Sequence, residues 1–411
     1  MTRRLELGGA ELFRQAASTT DEGDQKKLRT KAAALAAWAR KAQSAGGIRR
    51  ALEVAQTLAP VTSGAGEWDR APWLTACSAG TLDLRTGELN AHRREDMITL
   101  LAGGTHQPDA KAPTWESFLE RILPDADLRA FAQRALGYSM TGDTSEQVMF
   151  VCYGSGANGK STMLETVRHV LSDYAVHVQT DTLMAIGRGR GADNDLMRLR
   201  GARFVTAIET GEGRKLDEPR IKALTGGDTV TARLLYHEPV EFVPQCKIWL
   251  ATNHRPEVTG NDHAIWRRLR LIPFEVQIPS AERDKSLLDK LRAEASGILS
   301  WLLRGCLEWQ RTGLQPPDAV MAATDQWRTD SDELARFIGD RCTVLSGVRA
   351  RSGELYSSFV EWARSEGNRE PLSSTAFGRR LTDAGYAELK SNGQRYRRGL
   401  GLQANEPEGL R

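Results

Sequence analysis

Residues Val148 to Thr162 read V-M-F-V-C-Y-G-S-G-A-N-G-K-S-T, and this stretch decides the fold. Val148 to Tyr153 is a short apolar run with β-branched and aromatic residues, which predicts a buried strand. It meets Gly154, and Gly154-x4-Gly159-Lys160-Ser161 matches the phosphate-binding loop pattern without deviation. The chemistry explains the spacing: glycines let the backbone fold tightly, so that successive N–H groups point inward at phosphate oxygens. Lys160 then reaches the β/γ-phosphates and Ser161 offers a hydroxyl to Mg²⁺. Past Ser161, Met163, Val167, Val170 and Leu171 recur at helical spacing, so a helix N-terminus also faces the phosphates. Gly154, Ser155, Gly156, Ala157, Asn158, Gly159, Lys160, Ser161 and Thr162 are therefore the expected cradle for ATP with Mg²⁺.

Around this loop the chain is that of a soluble α/β protein. Its 411 residues call for two or three domains, and 40% hydrophobic with 27% charged residues is a globular composition. A net charge of +3 confines any nucleic-acid surface to local patches. The five cysteines include no C-x-x-C pair, which argues against a zinc site and favours a reducing cytoplasm; Cys152 and Cys246 read as core thiols. No apolar run is long enough to span a membrane, and no signal-peptide core opens the chain.

Outward from the loop, Arg203 to Glu209 predicts a second strand that ends in an acid. Nucleoside triphosphatases need a carboxylate there, to hold Mg²⁺ and polarise the attacking water. Glu212 is the nearest alternative acid. Thr229–Tyr236 and Val240–Val243 read as a hairpin with a polar tip at His237-Glu238-Pro239. Cys246 to Asn253 is a third buried strand, whose terminal amide can hold the water or the γ-phosphate. Trp266-Arg267-Arg268 precedes a fourth strand, Leu269 to Phe274.

Upstream, residues 1 to 60 read as a helical pair broken near Gly46-Gly47, with a basic face that suits either solvent or DNA. Short strands at 73–77 and 81–84 follow, then helices at 115–122 and 126–137, the latter stopped by Gly137. Downstream, Leu287, Leu291, Ile298, Trp301 and Leu302 form the apolar stripe of a helical lid. Helices at 327–342, 354–365 and 373–384 and a strand-turn-strand around Asn392-Gly393 follow, the layout of a winged helix. Arg395, Arg397 and Arg398 beside Tyr396 make the wing a candidate DNA contact. The expected domains are 1–112, an N-terminal collar; 113–280, the ATPase core; 281–325, lid and linker; and 326–411, winged-helix-like.

Taken in order, loop, acid strand, hairpin, Asn strand and Arg pair resemble the superfamily 3 helicases, above all the helicase half of the phage and plasmid primase–helicases related to the poxvirus primase–helicase. The resemblance rests on Gly154–Thr162, Phe204–Glu209, Lys222–Asp228, Ala232-Arg233 through Phe242, Ala251–Asn253 and Trp266–Arg268. It implies an AAA+-like ring, usually a hexamer, that moves 3′ to 5′ on single-stranded DNA and engages forks. In that ring Lys160, Glu209 and Asn253 would be catalytic, with Ser161 and Glu209 at the metal. Arg268, with Arg267 as the alternative, would complete a neighbour's site. Arg233, Tyr236 and His237 would grip DNA in the channel. The host would be bacterial, with the chain phage- or plasmid-encoded and cytoplasmic. The sequence departs from relatives with two acids on the second strand, since only Glu209 stands there. No primase catalytic half is visible, so a primase would act in trans or on a longer chain of which this is a part. The other reading of the same features is an ATP-switched ring that assembles on DNA and recruits a primase without unwinding.

Overall fold

Alternation within buried strands builds the central part of the molecule. In the computed structural model, five strands lie parallel in the order Leu269–Pro273, Met149–Tyr153, Lys247–Thr252, Phe204–Glu209, Ala175–His177. Successive side chains of a strand point to opposite faces. Phe150, Cys152, Phe204, Trp249 and Ile272 therefore enter one core, while Met149, Val151, Val205, Ile248 and Leu271 enter the other. Strands buried on both faces need helical crossovers, and the near-continuous apolar runs of the sequence follow from that. The structure describes residues 2–58, 66–185, 192–209, 211, 213–233, 238–258, 263–366 and 371–403.

On the first face, Phe150 stacks on Trp249 at 4.4 Å and meets Phe131 of the helix Ala126–Tyr138 edge-on. That helix lies in backbone contact with Ala295–Thr312. A Cβ at Gly137 would come within 2.2 Å of the Cys306 nitrogen, and one at Gly305 within 2.2 Å of the Gln133 carbonyl. Gly137 is thus a packing glycine inside the helix and not its terminator. On the apolar stripe of that helix, Ile298, Leu299, Leu302 and Cys306 are buried in the main core.

The N-terminal edge of the parallel sheet carries two buried cations. Arg203 donates to Thr75 Oγ1, Met140 O, Ala71 O and Leu74 O at 2.8–2.9 Å, and lies 4.6 Å from the Tyr174 ring centroid. Lys247 donates from Nζ to the carbonyls of Thr141, Asp143 and Gln245. Burial, with Arg203 nearby, pushes its pKa down to about 7. The Arg203 bonds tie the small antiparallel sheet Leu74–Cys77, Gly80–Asp83, Glu88–Asn90 to the larger one, while Lys247 holds the 141–143 turn to the same edge. The chain forms two compact units, residues 1–68 and 69–411, so the small sheet belongs to the same unit as the large one. The N-terminal unit holds three helices, Thr2–Ser18, Glu22–Gln43 and Ala45–Ala55. Its break falls at Ser44, whose hydroxyl caps the third helix through Gly47 N, so Gly46-Gly47 begin a helix and do not form a turn.

A further core, around Phe337, Phe359, Trp362 and Phe377, organises the C-terminal residues. The helix expected over 327–342 is two, Asp318–Ser331 and Glu333–Arg341, parted at Asp332, which caps the second through Ala335 N. The strand Cys342–Arg351 follows, unforeseen, and pairs with Gln394–Leu402 across a bulge. Helices Ser352–Ser365 and Ser374–Asp383 and the hairpin Glu388–Ser391/Gln394–Leu402 complete this part.

Candidate nucleotide-binding site

In a parallel sheet every strand ends at the same edge, and that edge gathers the site. Thr252 is in register with both Tyr153 and Glu209, so Gly154, Asn253 and the backbone of Glu209 stand side by side. The helix Lys160–Leu171 starts there behind Gly159, which takes φ 83° as its N-cap. A Cβ on Gly159 would also approach Ile122 Cγ2 to 2.6 Å, and one on Gly154 would approach the Phe274 carbonyl to 2.1 Å. Only glycine fits either position.

Lys160 is 4% exposed, and its Nζ donates to Gly154 O at 2.5 Å, Asn158 Oδ1 at 3.0 Å and Asn253 Oδ1 at 3.2 Å. Burial lowers its pKa, and Cys152 opposes that weakly. Three neutral acceptors thus hold an ammonium in the position a phosphate anion would claim. Asn158 also donates to Phe274 O at 3.2 Å, and Ala157 O accepts from Ile278 N at 2.8 Å, so the segment after the fourth predicted strand braces the loop. This brace, and the wall of Phe118 and Ile122 behind Gly159, left no local signature in the sequence.

A cavity of about 240 Å³ lies over Gly156–Thr162, Ala251, Thr252 and Asn253. Ala157, Gly159 and Thr162 also line a second cavity of about 660 Å³, walled by Phe118, Ile278 and Leu287. Arg121 and Glu282 pair at its rim. The two form one cleft, with a polar end on the loop and an apolar end beside it. Ser161 is exposed on the first helical turn at the polar end. Among the described residues no three His, Cys, Asp or Glu side chains cluster as a metal site, so a cation here would depend on Ser161, the strand-end acid and the phosphates themselves.

Beside the loop, Arg255 lies 4.9 Å from the Tyr153 ring centroid and pairs with Asp330 at 2.6 Å. The expected hairpin is present as Val230–Ala232 against Val240–Phe242, with Arg233 exposed beyond it. Tyr236, His237 and Glu212 lie outside the described residues.

The arginine pair is corrected. Arg268 is 7% exposed; its Nε donates to Thr225 Oγ1 at 3.2 Å and its Nη1 to Ala264 O at 2.7 Å, both within its own chain. Arg267 is exposed and donates to Gln147 Oε1 at 3.2 Å. Arg268 is thus held inside its own chain, while Arg267 stands at the surface.

The wing arginines are also corrected. Arg397 is 3% exposed and donates to Thr382 Oγ1, Tyr386 O, Gly378 O and Glu388 Oε2. It anchors the hairpin to the helix Ser374–Asp383 and cannot meet DNA. Arg395 and Arg398 are exposed on alternate faces of the strand. Arg397→Ala should cost about 3 kcal/mol in denaturant unfolding, because it strips a buried network, while Arg398→Ala should stay within about 0.5 kcal/mol. Equal, small losses would contradict the anchor.

Family models describe three stretches: D5 N terminal like over residues 8–124, a family of unknown function over 152–268, and poxvirus D5 protein-like over 329–397. A protein of Acanthamoeba polyphaga mimivirus, provisionally named a helicase, is 28% identical over 323 residues. One of African swine fever virus, provisionally named a primase, is 27% identical over 336 residues. Two of the family models and these relatives support a member of the viral D5-like primase–helicase family. Each D5-like alignment covers 72% of this chain and 33% of the relative, so the chain spans about a third of the curated relatives it matches. A solved apo structure of the NrS-1 C-terminal region aligns over 72% of this D5-like chain and 77% of its own, at 13% identity and a TM-score of 0.43. Among the described residues no helix is long and apolar enough to cross a membrane.

Proposed function

We propose that this chain is the ATP-hydrolysing motor of a replicative primase–helicase, of the superfamily 3 type with an AAA+-like core. The observation that carries the reading is the contact of Lys160 with Asn253 across the loop, at one edge of a five-stranded parallel sheet whose acid strand ends at the same edge. In this reading the polar end of the cleft takes the triphosphate. The apolar end, between Phe118, Ile278 and Leu287, takes the base. Ser161 and Glu209 would hold Mg²⁺, which supplies charge neutralisation of the β/γ-phosphates. Asn253 positions the γ-phosphate or its attacking water, and Glu209 accepts that water's proton. Rings, in all proportions a hexamer, would bring Arg267 of one chain to the loop of the next. Movement is 3′ to 5′ on single-stranded DNA, with the C-terminal fold acting as a winged helix and a primase in trans or on the same longer chain.

Unwinding of a forked duplex by the wild-type chain, with ATP and with a non-hydrolysable analogue, tests the proposal. Strand separation with ATP alone is expected. DNA-stimulated hydrolysis with no separation on forks of either polarity would overturn it in favour of an ATP-switched ring that recruits a primase.

A further inference from the structure

The C-terminal fold holds a cavity of about 1000 Å³, larger than either part of the nucleotide cleft. It lies between the first turns of helices Ser352–Ser365 and Ser374–Asp383 and the strands of the hairpin. Four arginines line it, Arg351, Arg379, Arg395 and Arg397, against two glutamates. Both glutamates are engaged: Glu354 with Arg351 at 3.3 Å, Glu388 with Arg395 at 3.5 Å and Arg397 at 3.4 Å. Arg379 is exposed and has no carboxylate partner among the described residues. Two helix N-termini add their partial positive charge to the same space.

Two buried donors at this cavity lack acceptors. They are the Nε of Arg397, on a side chain only 4% exposed, and the hydroxyl of Ser352. Gly353, on the first helical turn, has nothing within 4 Å of where a Cβ would stand, so a chain can pass close to the backbone there. A hollow lined by exposed arginines, two helix N-termini and open glycine backbone suits a row of singly charged phosphates.

We propose that this groove binds the phosphodiester backbone of a nucleic-acid strand, with Arg351, Arg379 and Arg395 on successive phosphates. Arg397 is the buried post that holds the hairpin strand at its distance from helix Ser374–Asp383. Arg351, in register with Tyr396, stands at the rim of the groove; the outer face of the sheet beyond it, where Arg349 lies 4.8 Å from the Tyr396 ring and opposite Arg398, is not part of the groove. The inference rests on the nucleic-acid reading above, yet the two can fail separately.

The test is anisotropy of a labelled oligothymidylate with the full chain, without nucleotide, across a salt series. Two variants are compared: R351A/R379A/R395A in the groove, and R349A/R398A on the outer face. Arg351 and Arg395 are surface arginines in weak exposed pairs and Arg379 has no carboxylate partner among the described residues, so unfolding midpoints should match the wild type. The groove triple should bind on the order of tenfold to a hundredfold more weakly at about 0.1 M salt, and its log–log salt slope should shrink by about 2. The outer-face pair should leave both unchanged. Equal affinity and slope in the triple, or an effect confined to the outer-face pair, overturns the groove. A triple that loses thermal protection by inorganic phosphate but keeps its DNA affinity also overturns it, as a site for free anions. If the wild type fails to unwind forks while the triple still shows the loss, the motor reading falls and the groove stands.

Discussion

Arg267→Ala is expected to bind ATP almost normally and to hydrolyse it about 10³-fold more slowly, or worse. The sheet supplies the reason. Leu269 pairs with Met149 at the start of the loop strand, and Pro273 with Tyr153 at its end. Arg267, two residues before that strand and level with Gln147, therefore stands roughly 23 Å from its own phosphate loop, at about 3.3 Å per residue. It is exposed, and Gln147 is a neutral partner it can leave. In the proposed ring a guanidinium there would serve the site of the next chain, where it matters most as charge shifts in the transition state. Mixing Arg267→Ala with Lys160→Ala chains should restore part of the activity, because some interfaces then join an intact loop to an intact arginine. No recovery in a mixture shown to co-assemble would refute action in trans. Arg268→Ala should behave differently: its two internal hydrogen bonds are worth about 1–3 kcal/mol of stability, lost whether or not nucleotide is present.

The second large effect is expected at Lys160. Removing its ammonium should reduce ATP hydrolysis by about 10²–10³-fold or more, since the developing charge on the β/γ-bridge loses its only loop cation. The structure adds a prediction for the chain without nucleotide. Lys160 satisfies Gly154 O, Asn158 Oδ1 and Asn253 Oδ1 together, so Lys160→Met should also release Asn253 from the loop. Hydrogen exchange at the turn after Thr252 should then quicken without nucleotide. Unchanged hydrolysis in either variant would remove the loop from the chemistry; unchanged exchange would separate Asn253 from it.

Much of the site was legible because backbone chemistry constrains sequence locally. Gly154 and Gly159 sit where a Cβ cannot, Lys160 follows, and the runs to Glu209 and Asn253 are buried strands with polar ends. What escaped depends on distant partners. Arg267 and Arg268 are neighbours in sequence, and only packing on Thr225 and Ala264 decides which one is inside. Arg395, Arg397 and Arg398 alternate along one strand, but the covered face follows from the helix that holds Gly378 and Thr382. Cys342–Arg351, interrupted by Ser346-Gly347, becomes a strand by pairing with residues some fifty positions later. Gly137 looks like a helix stop until Cys306 is found against it. Nor does any residue type announce that Arg203 bolts the small sheet to the large one.

Tyr153, the last residue before the loop, is roofed by Arg255, and Arg255 is tethered to Asp330. Asp330 lies at the end of the helix Asp318–Ser331, two residues before the cap from which the C-terminal fold departs. The joint between the two parts is therefore also a lever resting on the base of the phosphate cradle. A pull on the C-terminal fold that unwinds the last turn at Ser331 must drag or snap this tether. Mechanical load at the far end of the chain is then felt one residue from Gly154, in the time a side chain takes to let go.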